Sequence, residues 1–338
     1  MHKIRLGRTG LMISAVGFGG IPIQRLTDDQ AVAVVQHCLD LGITFLDTAN
    51  AYSTSEARIG RAIVGRREGL VIATKSAARD GEGVRQHLAL SLERLRVEAI
   101  DLYQFHNLSD FEQYEKTLAP GGPLEVVREA QAAGMVKHIG LTSHSMEVAL
   151  AAVRSGLFET LMFPFNFVAN EAAEELIPLA IQHDVGFIAM KPMGGGVLEN
   201  ATIAFKYLRR FPGIVPIVGI ERAEEMDEIV AIMEGPAEMT AAEEEEMARL
   251  RAELGTRFCR RCGYCQPCPE DIPIQTLMIL DSLVKRMPLE QLMGGWAAQA
   301  VERAENCTKC GECEEKCPYG LPIREMMDEG LALWRAIQ

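Results

Sequence analysis

The sequence predicts an α/β chain: an eight-stranded parallel barrel wrapped by helices, then a small helical tail. Three observations carry this. Short apolar, β-rich runs alternate with longer amphipathic runs over residues 1–235. The spacing between runs suits parallel strands joined by helical crossovers. Eight of the nine cysteines lie within residues 259–317, beyond the alternation.

The strand candidates are Ala15–Phe18, Thr44–Asp47, Leu70–Thr74, Ala99–Phe105, Val136–Leu141, Thr160–Phe163, Gly186–Met190 and Ile214–Val218. Thr27-Asp28-Asp29 can cap a helix that ends at Gly42. Further helices are expected at Ser53–Ile63, Glu82–Leu95, Leu124–Ala133, Ser145–Arg154, Asn170–His183, Ala201–Phe211 and Arg222–Met233. Eight βα units read as a (β/α)8 TIM barrel. A doubly wound sheet is the alternative, but Gly17-Phe18-Gly19-Gly20 does not open a helix as its phosphate loop would. The expected division is a barrel over 1–235 and a helical tail over 236–338. The run Glu243–Glu246 reads as one solvated helix surface.

The chain has 338 residues, 48% hydrophobic and 24% charged, so it can build a sizeable core. Lys and Arg total 34 against 47 Asp and Glu, a net charge of −13. So acidic a surface argues against nucleic-acid and anionic-membrane partners. The start has no charged-then-apolar signal pattern, and no apolar run reaches about 18 residues. A cytoplasmic location is expected, where clustered cysteines point to metal rather than disulfides. Cys38, alone on a helical stretch, is expected in the core.

Active sites of such barrels form at the C-terminal ends of the strands. The second strand ends in Asp47, with Tyr52 in the loop after it; the third ends in Thr74-Lys75; the fourth ends in Phe105-His106. Each residue alone has a structural reading: a helix cap, a packing ring, a surface cation, a satisfied histidine. Together they make a coherent set. A free tyrosine, with a pKa of about 10, donates its proton poorly near neutrality. A neighbouring ammonium stabilises tyrosinate, and a carboxylate holds the ammonium. A histidine can hydrogen-bond a carbonyl and orient it.

The segments Asp47-Thr48-Ala49-Asn50-Ala51-Tyr52, Thr74-Lys75, Gln104-Phe105-His106-Asn107, Gly17-Phe18-Gly19-Gly20 and Ile139-Gly140-Leu141-Thr142-Ser143 resemble the aldo-keto reductase superfamily. The resemblance spans about residues 3–233. It implies a nicotinamide cofactor bound without a Rossmann domain. It implies Tyr52 as general acid/base, Lys75 and Asp47 as its tuning pair, and His106 as the residue that orients a small carbonyl or alcohol substrate.

The implied cofactor residues are Gly19, Thr142, Ser143, Asn166, Lys191, Gly219 and Arg222. The pocket departs from the family pattern. Thr142-Ser143 stands for Ser-Asn, Met162 for a Gln, and Met190 for the aromatic ring that stacks on nicotinamide. Glu221 and Glu225 flank Arg222, which suits an unphosphorylated ribose. NADH and NADPH both stay open. Lys191 reads as a contact to a cofactor phosphate or an anionic substrate, or as a rim lysine.

The cysteines form two groups. Cys259, Cys262, Cys265 and Cys268-Pro269 are each separated from the next by two residues. Cys307, Cys310, Cys313 and Cys317-Pro318 have the bacterial ferredoxin spacing. In two-cluster ferredoxins the fourth cysteine of each group ligates the other cluster. That pattern assigns Cys259, Cys262, Cys265 and Cys317 to one 4Fe–4S cluster and Cys307, Cys310, Cys313 and Cys268 to a second. Zinc held by Cys-x2-Cys pairs is the alternative; eight thiols in two matched sets favour clusters. The tail resembles a small α-helical ferredoxin-like iron–sulfur domain, as found on a subgroup of aldo-keto reductases.

A barrel of this kind moves hydride, two electrons together, whereas a cluster moves one. Three readings follow. The clusters pass electrons between a ferredoxin-like redox partner and the barrel. Or the barrel is a conventional nicotinamide reductase with a structural or docking tail. Or the protein is an electron carrier on a vestigial barrel.

Overall fold

The computed structural model describes residues 1–337. Ten strands form two sheets: β1 (Lys3–Arg5), β2 (Met12–Ser14), β3 (Gly17–Gly19), β4 (Phe45–Asp47), β5 (Val71–Ser76), β6 (Ile100–Phe105), β7 (Val136–Thr142), β8 (Thr160–Pro164), β9 (Gly186–Met190) and β10 (Ile214–Gly219). Strands β3 to β10 close into one barrel in sequence order, and every neighbour pair is parallel. The (β/α)8 expectation therefore holds. Buried on both faces, such strands read as near-continuous apolar runs, which is why they were visible in the sequence.

Two apolar layers hold the barrel. Its lumen is filled by Phe45, Val71, Leu102, Met162, Ile188 and Val215, among others. Leu6 and Ile13 complete that cluster from the β1–β2 hairpin, which plugs the N-terminal end. A larger layer packs between strands and helices, and Cys38 lies fully buried in it. The sequence pattern missed the hairpin, because Lys3-Ile4-Arg5 sets one apolar residue between two charges and shows no apolar run.

Two helices differ from expectation. The Asn107–Pro123 stretch, where the sequence reading placed no helix, holds helix Phe111–Leu118, capped by the Asp110 carboxylate on Gln113 N. The helix expected from Asn170 begins only at Leu176, after a 3-10 turn at Glu171–Ala173. Pro178 is tolerated there because it falls in the first turn, where its missing N–H has no helical partner.

The last barrel helix is Ala223–Glu234. The next, Ala241–Gly255, carries Glu243–Glu246 and is capped by Thr240 and Glu243. It packs back on the barrel through Met247, and Glu243 pairs with Lys206 at 2.8 Å. A separate core forms beyond it, with Ile274, Leu277, Leu280, Leu292, Met327 and Trp334. Among the described residues no helix is long and apolar enough to cross a membrane.

Candidate active site and cysteine cages

The strand register brings Asp47, Lys75 and Gln104 together inside the barrel mouth. Lys75 pairs with Gln104 across β5–β6, and Asp47 with Ala73 across β4–β5. Lys75 Nζ donates to Asp47 Oδ2 at 2.6 Å and to Thr48 O at 2.7 Å. Gln104 Nε2 donates to Asp47 Oδ1 at 3.1 Å. Lys75 is 1% exposed and Asp47 2%. Burial pulls the lysine pKa down, but the charges of Asp47 and Tyr52 outweigh it and hold the ammonium above its ordinary value.

Tyr52 is half-buried in the loop after β4. Its ring centroid lies 5.0 Å from Lys75 Nζ and 5.7 Å from the His106 ring, edge to face at 83°. The loop is built, not slack. Asn50 N donates to Lys75 O, Tyr52 N to Ala49 O, and Ser55 Oγ to Gly20 O. Below it Glu56 accepts from Thr74 Oγ1 at 2.6 Å.

His106 follows β6. Its N donates to Ser76 O, and Arg79 donates to its carbonyl at 2.8 Å. Burial, then the charges of Lys75, Arg79 and Arg261, pushes its pKa down to about 3, so the ring is neutral. Its Nδ1 is buried without a protein partner. The four strand-end residues expected to converge thus do so: a phenol lies between a buried ammonium and a neutral imidazole, and can exchange a proton with a bound carbonyl oxygen.

The expected nicotinamide residues line the same rim, partly engaged. Thr142 Oγ1 accepts from Asn107 N at 2.7 Å, and Asn166 Oδ1 accepts from Val168 N and Ala169 N. Asn166 Nδ2 gives one hydrogen to Lys191 O. Ser143 Oγ is used within its own turn by Ser145. Thr142 keeps its hydroxyl hydrogen and Asn166 a second amide hydrogen, so donors suited to a carboxamide oxygen remain. Gly19 and Gly219 pair across β3–β10 and put no side chain in the way. Arg222 is well exposed and pairs with Glu225 at 3.0 Å, and Glu221 accepts from Arg25 at 3.2 Å.

The tail sits on this mouth. Arg260 reaches Glu171 at 3.0 Å and Val168 O at 3.2 Å, Arg251 reaches Phe167 O, and Ser282 Oγ donates to Gly195 O at 2.9 Å. Arg25 donates to Lys285 O. Two cations the sequence reading did not single out, Arg261 and Arg286, come with it. Both lie within charge range of Tyr52. No local signal marks them, since they reach the site only through docking of the tail.

The cysteines border two hollows. Cys259, Cys262, Cys265 and Cys317 line one. Cys268, Cys307, Cys310 and Cys313 line the other, which Cys265 also reaches. The two loops share a backbone: Arg261 and Lys309 have φ of 62° and 56°, and Gly263 and Gly311 have 93° and 89°. Left-handed residues at matched places let each Cys-x2-Cys-x2-Cys run curl around a centre. Four thiols border each hollow, the donor set that a 4Fe–4S cluster takes.

The comparisons agree with both halves. The model of the aldo/keto reductase family matches residues 15–209, and that of a 4Fe-4S dicluster domain matches residues 258–322. The uncharacterized oxidoreductase YqkF of Bacillus subtilis (strain 168) is 28% identical over 214 residues, 59% of this chain and 67% of that protein. L-galactose dehydrogenase of Arabidopsis thaliana is 29% identical over 222 residues, 59% and 69% of the two. An aldo-keto reductase from Bacillus halodurans in its holo form has the same fold, with a TM-score of 0.65 at 22% identity over 74% of this chain and 96% of that one. So does one from Klebsiella pneumoniae in complex with NADP and acetate, at 0.63 and 20% over 74% and 95%. The chain is an oxidoreductase that belongs to the aldo/keto reductase family and carries a C-terminal 4Fe-4S dicluster domain.

Proposed function

We propose that the protein interconverts a carbonyl and an alcohol at the barrel mouth, with Tyr52 as general acid/base. The observation that carries this is the Tyr52 ring set between Lys75 Nζ at 5.0 Å and the His106 ring at 5.7 Å. In reduction the Tyr52 hydroxyl gives its proton to the carbonyl oxygen; oxidation runs the step backwards. Lys75 stabilises the charge the phenol takes on, and Asp47 keeps Lys75 charged and in place. Neutral His106 donates a hydrogen bond to the same oxygen and sets its orientation.

Nicotinamide, when bound, supplies or accepts the hydride. The donors left on Thr142 and Asn166 support it, as does the NADP in the relative from Klebsiella pneumoniae. Glu221 and Glu225 around Arg222 favour NADH; that relative favours NADPH.

We assign residues 1–235 to catalysis and the tail, 236–338, to electron transfer. Cys259, Cys262, Cys265 and Cys317 would hold one 4Fe–4S cluster, and Cys268, Cys307, Cys310 and Cys313 a second. A second reading replaces nicotinamide with a ferredoxin-like partner that feeds the clusters. Arg261 favours it: the residue sits between Cys259 and Cys262, yet lies within charge range of Tyr52 and His106.

An anaerobic titration with NADH and then NADPH, following cluster absorbance and nucleotide fluorescence, tests both. Nucleotide binding with turnover of an added carbonyl supports the first reading. Clusters that bleach connect nicotinamide to iron. No response to either nucleotide, with turnover driven by reduced ferredoxin, replaces the first reading by the second.

A further inference from the structure

We infer that the tail helix Leu280–Val284, with Lys285 and Arg286 after it, competes with a nicotinamide dinucleotide for one stretch of barrel rim, so that the nucleotide is admitted only when the tail lifts. The inference rests on the reading of nicotinamide as hydride carrier and names how access to that site is regulated.

The stretch lies at the ends of β9 and β10, the seventh and eighth strands of the barrel. Loops after those two strands are a frequent phosphate-binding place of TIM barrels. Here the loop after β9 contains Gly194, Gly195 and Gly196, with φ of 59°, 74° and 94°. Glycine takes three such conformations in a row without a Cβ penalty. The backbone is left bare for a close neighbour.

That neighbour is the tail. Ser282 Oγ donates to Gly195 O at 2.9 Å. A Cβ at Gly195 would stand 2.7 Å from Ser282 Oγ and 3.3 Å from Arg286 Cζ, and one at Gly196 would stand 3.9 Å from Lys285 Cδ. Arg286 is steadied by its own bond, from Nε to Ser282 O at 2.9 Å. The other end of the segment meets the next loops round the rim. Arg25 closes the turn Pro22–Arg25 after β3 and donates to Lys285 O. It also donates at 3.2 Å to Glu221, which follows β10. Pro22 of the same turn covers Gly219, where a Cβ would stand 2.7 Å from Pro22 Cδ. Contacts thus run from Gly195 through the tail to Arg25 and Glu221. A strap over a nucleotide would leave a layer of space above Gly195. The tail fills that layer at hydrogen-bond and van der Waals distance.

The segment can leave with its own domain. Leu280 and Leu283 are buried in the tail core with Ile274, Leu292 and Trp334, so lifting need not open that core. Its hold on the barrel includes the bonds of Ser282 and Arg25 and the Arg260–Glu171 pair at 3.0 Å. Relative motion is the default for domains joined by a small polar interface. Met247 and Phe258 belong instead to the apolar layer of the barrel, which keeps the start of the tail in place.

Nucleotide affinity is then the intrinsic affinity multiplied by the fraction of molecules with the tail lifted. Removing a bond from the segment raises that fraction and tightens binding. Removing a residue that touches the nucleotide does the opposite.

The test is calorimetric titration of the full-length, iron-loaded protein with NADP⁺ and NAD⁺, which have no hydride to give to the clusters. Ser282→Ala and Arg286→Met, at the iron content of the parent, should each bind about 5-fold tighter than the parent. Saturating NADP⁺ should also speed amide hydrogen exchange in residues 280–287 of the parent, because the lifted helix loses the support of the barrel. Weaker binding by either variant overturns the inference, since the segment then completes the site. Unchanged affinity in both overturns it too. So does NADP⁺ that slows exchange in 280–287, which means that the segment closes over the nucleotide. Variants that bind NADP⁺ more tightly yet reduce no carbonyl with NADPH uphold the competition and refute the catalytic reading. No binding of either nucleotide by parent or variants refutes the nicotinamide reading and the competition with it.

Discussion

Lys75 Nζ lies 2.6 Å from Asp47 Oδ2, and the two side chains are almost wholly withdrawn from water. A buried pair of this kind is dangerous to halve, because the survivor keeps its desolvation cost. Lys75→Met should therefore destabilise the fold by about 3–5 kcal/mol. It should also lower turnover by about 100-fold or more, since the phenol loses its cation. Urea unfolding and steady-state rates measure the two effects; a variant that melts like the parent shows that the pair adds no stability.

Tyr52 contributes little to packing, being half-exposed in a loop held by its own backbone bonds. Tyr52→Phe should lower turnover by about 100- to 10,000-fold. The melting curve should stay within about 0.5 kcal/mol of the parent. Retained turnover would refute the acid/base role.

His106 gives a pH signature. Its pKa falls to about 3 through burial first and then through Lys75, Arg79 and Arg261, while an unfolded histidine titrates near about 6.5. The unfolded chain thus binds a proton that the folded chain refuses. This contribution to stability is fully present above pH of about 6.5 and is lost as pH falls toward about 3. His106→Gln should flatten the stability–pH curve over that window in unfolding measured at several pH values. An unchanged slope would show that His106 is not held neutral.

The cysteine cages predict a crossed dependence. Cys317→Ser should damage the cluster held by Cys259, Cys262 and Cys265, and Cys268→Ser the one held by Cys307, Cys310 and Cys313. The parent should carry about eight irons, and each variant about four. Iron analysis with electron paramagnetic resonance of the reduced proteins reads this out. Loss of the same signal in both variants would disprove the crossing.

Much of this was legible in the sequence because it is local. Strands buried on both faces are apolar runs whatever surrounds them. Asp47, Lys75 and His106 each end such a run, and a closed parallel barrel brings strand ends to one rim. Cysteine spacing likewise follows from the reach of a short loop.

What the chain could not show locally is how its far end meets the barrel. The first strand of the β1–β2 hairpin sets one apolar residue between two charges, and only the lumen it plugs explains Leu6 and Ile13. Lys191 was visible as a strand-end cation with several readings. Arg261 and Arg286 were not, because each comes within charge range of Tyr52 only once Arg260, Ser282 and Arg25 seat the tail on the mouth. The sequence by itself determined the barrel, the polar set at its strand ends and the cysteine loops, all built from short-range pattern. The tertiary structure decided which charges face that set, because electrostatic neighbours depend on distance in space rather than along the chain.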